Sequence, residues 1–294
     1  MADSTDRSLI SAAQLNRHRI AYRVVLTLVV VIFTLAFMGP LYFLFSDGLK
    51  STAEAVQVPP TIIPAHIHPG SYSAAWSRVG LGRLLVNTLY YAFGALALQL
   101  VFDVAAAYSL SRLRPVLGNV IFALMLATLM IPATVLVVPQ YVTVSDLPLL
   151  HLNLIGSPEA IWLPSVANAF NIFLLKRFFD SIPGELLAAA AIDGASPLRT
   201  LRSVVLPISR PIIGVVSIFA LVATWKDFLW PLLVEYGYNP SRETLNVGIF
   251  EAASTTPQNL VLAASAMAAV PTLVFFLLFQ RNILSGLTAG SLKG

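Results

Sequence analysis

Val24–Phe45 reads VVLTLVVVIFTLAFMGPLYFLF, a stretch without one charged side chain. A helix needs about 20 apolar residues to cross a hydrocarbon core of about 30 Å, so this segment can span a bilayer. Arg17, Arg19 and Arg23 precede it, a flank that a secretory signal also carries. The stretch is too long for a signal's apolar region and ends without a small-residue cleavage site. It is expected to be a first, retained membrane helix.

Working outward, the whole chain has the same character. Hydrophobic residues make up 57 % and charged residues 11 % of the 294 positions, and the mean hydropathy is +0.80. These values fit a polytopic membrane protein rather than a soluble domain. Six spans are expected, near 24–46, 84–110, 116–141, 159–178, 207–233 and 258–281. Residues 1–23 then form an N-terminal cytoplasmic segment, 24–281 the transmembrane domain and 282–294 a cytoplasmic tail. Pro40, Pro132 and Pro139 fall inside spans, where a missing backbone donor kinks a helix.

The basic residues set the orientation. Arg7, Arg17, Arg19, Arg23, Arg112, Arg114, Lys176, Arg177, Arg199, Arg202, Arg210, Arg281 and Lys293 would share one side. Only Lys50, Arg78, Arg83 and Arg242 fall on the other, and Lys226 lies within a span. By the positive-inside rule both termini are cytoplasmic, as an even number of spans requires. A net charge of +4 so arranged reports topology, not nucleic-acid binding.

The residue inventory removes several kinds of chemistry. Cysteine is absent, so thiol catalysis, disulfides and cysteine metal sites are excluded. No lysine follows a glycine-rich loop, so the chain has no P-loop for ATP. His18, His66, His68 and His151 show no metal-ligand spacing, and no G-x-S-x-G elbow occurs. An embedded hydrolase is disfavoured. Ionisable residues within spans are costly and usually face a cavity or partner, which singles out Asp103, Lys226 and Asp227. With Trp225 and Trp230, the last two could line a path for a hydroxyl-rich solute, since aromatic faces stack on sugar rings. Trp76, Trp162 and Trp230 also lie near span ends, where the simpler role is anchoring at the headgroups.

One segment departs from the apolar pattern: Glu185–Thr200, ELLAAAAIDGASPLRT, in the loop 179–207 between the fourth and fifth expected spans. Pro183 suits the first position of a helix, Glu185 meets the positive end of its dipole, and the alanines propagate it. Gly194 after Asp193 can take the left-handed conformation that ends it. Ser196-Pro197 starts a second helix as N-cap and first residue. The pair forms a compact knob. An amphipathic helix lying on the membrane is the alternative, against which the alanines offer little bulk for lipid.

The knob resembles the cytoplasmic EAA loop of permease subunits in binding-protein-dependent ATP-binding cassette importers. That pattern is Glu-Ala-Ala, three residues, Gly, then Leu-Pro about a dozen positions later. Ala189 and Ala190 take the alanine places here, Asp193-Gly194-Ala195 the turn, and Leu206-Pro207 the end. Further matches run along most of the chain: NTLYYA from Asn87, AAYSLSR ending at Arg112, MIPATVLVVPQY from Met130, WKDFLWP from Trp225 and RNILSGLTAGSLKG at the end. Together they are similar to the second permease of the maltose-type, carbohydrate-uptake branch.

The resemblance implies an all-α type I importer permease with six transmembrane helices and a coupling helix between the fourth and fifth. It implies a non-catalytic subunit, paired with a second permease in the membrane of a bacterial cell. Two ATP-binding cassette ATPase subunits would bind ATP and Mg, with no cofactor on this chain, and an extracytoplasmic binding protein would deliver a sugar. An amino-acid or peptide importer, or a stand-alone channel or secondary transporter, is the alternative. One position departs: the family's glutamate falls on Ala188. Glu185 lies three residues earlier on nearly the same helix face, so either Glu185 supplies that contact or the contact is dispensable.

Overall fold

The structure, a computed structural model, describes residues 19–289, with side chains described from 21 to 278. Residues 1–18 and 290–294, and with them Arg7, Arg17, His18 and Lys293, lie outside the described residues. In chain order the helices are α1 Arg19–Asp47, α2 Thr52–Ala55, α3 Gly70–Val79, α4 Leu81–Tyr108, α5 Gly118–Thr128, α6 Ala133–Ser145, α7 Pro158–Ser165 and α8 Ala169–Ser181. They continue with α9 Gly184–Ile192, α10 Pro197–Thr200, α11 Leu206–Ile208, α12 Arg210–Lys226, α13 Leu229–Val234, α14 Leu245–Ala252 and α15 Gln258–Ala289. Two π-helical turns, Ser109–Leu113 and Leu201–Val205, extend α4 and join α10 to α11. The only strand-like pairing among the described residues is one bridge between Leu147 and Leu152.

The central rod is α4. Its buried residues Leu84, Thr88, Tyr91, Ala95, Gln99 and Asp103 recur every three or four positions, the spacing of one helical face. That face packs against α7, α8, α12 and α14. Small residues let it approach closely, as is usual where lipid removes the hydrophobic drive between helices. A Cβ on Gly94 would stand 2.4 Å from the Trp162 ring. By contrast α1 is apolar all round and its spanning part is exposed over nearly its whole length, its main contact with a long helix being with α15. Its outer face is left for lipid or for another chain.

Three of the expected spans appear as unbroken apolar helices, Ala21–Asp47, Leu81–Leu113 and Gln258–Leu278. The other three are not single rods. The segment expected at 116–141 bends by 109° between α5 and α6. Pro132, with ψ 130°, cannot donate to the preceding turn and pushes Ile131 away from helical geometry. Pro139 lies inside α6 without a break. The segment expected at 159–178 divides into α7 and α8, and that expected at 207–233 into α12 and α13. Before α12 the chain turns through 83°. Counting each bent pair as one span gives up to five candidates among the described residues.

The packing falls into clusters at opposite ends of α4. One joins Tyr108 to Leu175, Phe179, Ile182, Val205 and Val216. Another joins Leu81 and Leu84 to Ala75, Trp225, Leu245 and Leu260, and a third joins Tyr91 to Val144, Ala160, Trp230 and Val234. The knob thus sits at the end of the bundle away from residues 70–80 and 245–260.

Candidate functional site

The knob is two short helices around a sharp turn. Helix α9 begins at Gly184, one residue after the expected start, with Pro183 in extended geometry (ψ 131°) ahead of it. It ends in a Schellman turn: Gly194 N–H donates to Ala191 O at 3.0 Å and Ala195 N–H to Ala190 O at 2.9 Å. Gly194 has φ 71°, which a side chain would strain. Ser196 then accepts from Arg199 N–H at 3.3 Å, with Pro197 as the first residue of α10.

No residue of α9 is buried. Glu185, Ala188 and Ala189 are exposed, Ala190 and Ala195 half-buried, and Asp193 exposed. Leu187 is the inward anchor, against the Phe179 and Val205 cluster. Leu186, Leu198 and Ile192, the last 87 % exposed, leave an apolar rim around a smooth alanine surface. Leu206 and Pro207 open α11 just before the bend into α12, Leu206 half-buried and Pro207 exposed.

What holds this exposed knob is the end of α4. Arg112 donates to the carbonyl oxygens of Phe179 and Ile182, the latter at 2.9 Å. Ser111 donates to Asp180 at 2.6 Å, and Lys176 pairs with the other oxygen of Asp180 at 2.8 Å. Tyr108 donates to Pro197 O at 3.0 Å. Both feet of the knob are therefore latched to one helix. The π-helical turn Ser109–Leu113 carries two of these groups, Ser111 and Arg112; such turns are frequent at functional positions. In the sequence Arg112 stands as a topology marker and as the close of the AAYSLSR motif, which contains Tyr108, Ser111 and Arg112 and so the whole latch.

The other end of α4 holds the connection 235–257. Asn87 donates to the carbonyls of Ser241 and Glu243 at 2.8 and 3.0 Å, and Thr88 accepts from Leu245 N–H at 2.8 Å. Tyr90 packs on Trp162, whose indole donates to Tyr91 O at 3.1 Å. The NTLYYA motif is thus a second latch. Glu235 is fully buried beside Tyr91. Burial pushes its carboxyl up to about 7, with the Tyr91 phenol and Arg242 pulling it down and Glu159 raising it. Glu243 is also raised to about 7, by burial and then by neighbouring Glu251.

The in-span candidates separate. Trp225 and Lys226 line a cleft of about 410 Å³ with Phe228, Asn246, Ser265 and Thr272. Asp227 and Trp230 are not on its wall. Asp227 accepts from Trp230 N–H at 3.4 Å, capping α13, and its carbonyl accepts from Asn246 at 3.2 Å. Trp230 is buried against Tyr91 and Ala160, where its indole donates to Ala160 O at 2.9 Å. Asp103 is fully buried and accepts from Asn168 N–H at 2.9 Å, bridging the break between α7 and α8.

Residues 99–288 match the family described as Binding-protein-dependent transport system inner membrane component. The chain belongs to that family. Among its relatives, the sn-glycerol-3-phosphate transport system permease protein UgpE of Rhizobium meliloti (strain 1021) is 31 % identical over 272 residues, 88 % of this chain and 94 % of its own. The Melibiose/raffinose/stachyose import permease protein MelC of Bacillus subtilis (strain 168) is 31 % identical over 92 % of this chain and 96 % of its own. In fold, this permease is similar to a chain of a bacterial ABC transporter involved in the import of the acidic polysaccharide alginate. The TM-score is 0.77 at 23 % identity, covering 93 % of this chain and 99 % of that one. The permease's two latches and its knob therefore belong to a fold shared along almost the full chain.

Proposed function

We propose that this permease is one of two membrane-pathway subunits of an ATP-driven sugar importer in a bacterial inner membrane. It has six spans, both termini cytoplasmic, and takes solute from an extracytoplasmic binding protein. Two ATPase subunits bind ATP and Mg; this chain hydrolyses nothing. Loop 183–207 seats in a groove of one ATPase, with Glu185, Ala188, Ala189, Ala190, Asp193, Gly194, Ala195, Leu206 and Pro207 forming the contact and its supports. Trp225 and Lys226 contribute to the solute path. Asp227 and Trp230 shape that path from behind, by fixing the start of α13.

The observation that carries this reading is an exposed, smooth knob fastened at both feet to the helix that also fastens the opposite end of the bundle. A knob held only by its own chain would swing when pulled. Latched through Arg112 and Tyr108, it transmits displacement of the ATPase to α4 as a rigid body, and ATP binding selects between two packings of the bundle. Likeness along most of the chain to a permease named for melibiose, raffinose and stachyose import, and to one named for an sn-glycerol-3-phosphate transport system, supports the solute class.

The test is reconstitution with its second permease, ATPase and binding protein. Solute-loaded binding protein should stimulate ATP hydrolysis and drive solute into vesicles. Glu185→Ala should lower that stimulation, and Ala188→Glu should restore it, because Ala188 is exposed and accepts a longer side chain. Uptake without ATP would overturn the reading. Unchanged coupling in Glu185→Ala would remove Glu185 from it.

A further inference from the structure

The cleft beside Trp225 exists because α12 stops there. Asp227 leaves helical geometry with ψ 129°, and Asn246 spends both amide hydrogens on the carbonyls this exposes, Trp225 O at 3.1 Å and Asp227 O at 3.2 Å. The carboxylate of Asp227 is drawn to the start of α13 by Trp230 N–H. Lys226 is left on the wall without its neighbour's charge. Among the described residues no carboxylate lies within ion-pair distance of its ammonium, and no hydrogen-bond acceptor holds it.

An unpaired ammonium within a span is costly unless it faces water or meets an anion. The rest of the wall offers no negative charge: Trp225, Phe228, Asn246, Ser265 and Thr272 are aromatic or neutral. Trp225 and Phe228 are each braced by an edge-on ring, Phe275 at 5.9 Å and Phe250 at 5.3 Å. The volume of about 410 Å³ falls within the range of small-molecule pockets. Fixed rings, hydroxyls and one free cation make a wall suited to a sugar that carries an acidic group.

We propose that this cleft is a subsite for an anionic hydroxyl-rich solute, a sugar bearing a carboxylate, sulfate or phosphate, with Lys226 pairing to the acid and Trp225 and Phe228 flanking the ring. The proposal rests on the transport reading above and adds the charge of the cargo. Anionic lipid headgroups carry the same chemistry, so the experiment separates them from free solute.

The chain has lysine only at 50, 176, 226 and 293, so acetylation of Lys226 can be followed by mass spectrometry in the intact complex held in phosphatidylcholine nanodiscs. Lys226 should label readily. D-glucuronate at about ten times its dissociation constant should slow labelling about tenfold by mass action, while D-glucose at the same concentration should not. Equal protection by glucose, or no labelling of Lys226 because the second permease already pairs it, would overturn the proposal. So would protection that follows added phosphatidylglycerol instead of glucuronate. Labelling requires neither ATP nor uptake, so a complex that fails to transport leaves this result standing. In a transporting complex, Lys226→Gln should lower anionic solute uptake about tenfold and Lys226→Arg should recover it, a tenfold change being about 1.4 kcal/mol. Undiminished uptake in Lys226→Gln would overturn the assignment.

Discussion

Arg112 donates to the carbonyl oxygen of Ile182 at 2.9 Å across 70 positions of chain, tying the end of α4 to the residue at which the knob departs. With the bond to Phe179 O, one guanidinium satisfies two carbonyls at the C-terminal end of α8. Both bonds leave from one terminal nitrogen, Nη2, which spends its two hydrogens on the two carbonyls.

Arg112→Ala should free the knob while leaving the bundle folded. Hydrogen bonds from a charged group contribute about 1.5–3 kcal/mol each, and these two are not additive because they share one donor group. Amide exchange should rise across 183–200 and stay unchanged through α4, and solute moved per ATP should fall. Arg112→Lys should recover part of the coupling. Exchange rising equally in both segments would show that Arg112 supports the bundle as a whole.

Gly194→Ala and Gly94→Ala should weaken the protein for different reasons. At Gly194 no atom lies within 4 Å of an added Cβ, so the cost is backbone strain at φ 71°, about 1–2 kcal/mol, confined to the knob. At Gly94 the Cβ would meet Trp162 at 2.4 Å and displace the indole from Tyr91 O. Thermal unfolding in detergent should show a larger loss for Gly94→Ala, and limited proteolysis should find the Gly194→Ala change at the α9 turn.

Asp103→Ala should cost more than Asp103→Asn. The alanine leaves the Asn168 N–H without its acceptor at a part-buried helix start, a penalty of about 1 kcal/mol, at the low end for a lost hydrogen bond because water can reach the exposed Asn168. The amide keeps an acceptor oxygen in the same place. Unfolding midpoints that rank the two variants the other way would show that the charge, not the hydrogen bond, matters at the break.

Stability should decline as pH rises toward neutrality. Glu235 carries a folded-state value of about 7 against an ordinary 4.5, so the native state holds its proton more tightly than the unfolded chain. Its contribution is full below pH 4.5, is lost between 4.5 and 7, and levels off above, amounting to about 3 kcal/mol for a shift of this size. Glu243, raised by burial and by Glu251, adds a slope of the same sign. Glu235→Gln should therefore reduce the slope without abolishing it, as read from unfolding midpoints between pH 5 and 8.

The sequence alone determined what depends on local chemistry. Long, predominantly apolar runs set the three unbroken helices, and the Asp193-Gly194 and Ser196-Pro197 pairs set the knob, because a left-handed turn and an N-cap are decided within a few residues. The sharp bend at Pro132 was half legible: proline removes a donor, but Pro139 shows that removal alone does not break a helix. Tertiary structure decided the rest. The breaks at 166–168 and 227–228 carry neither glycine nor proline and are stable only because distant side chains satisfy the backbone groups they expose. Asp103 takes the Asn168 N–H, and Asn246 supplies hydrogens to the carbonyls of Trp225 and Asp227. Which side of the second break faces the cleft follows from that pairing, so Lys226 was separated from Asp227 and Trp230 by a residue twenty positions away, through hydrogen bonds that no local pattern records.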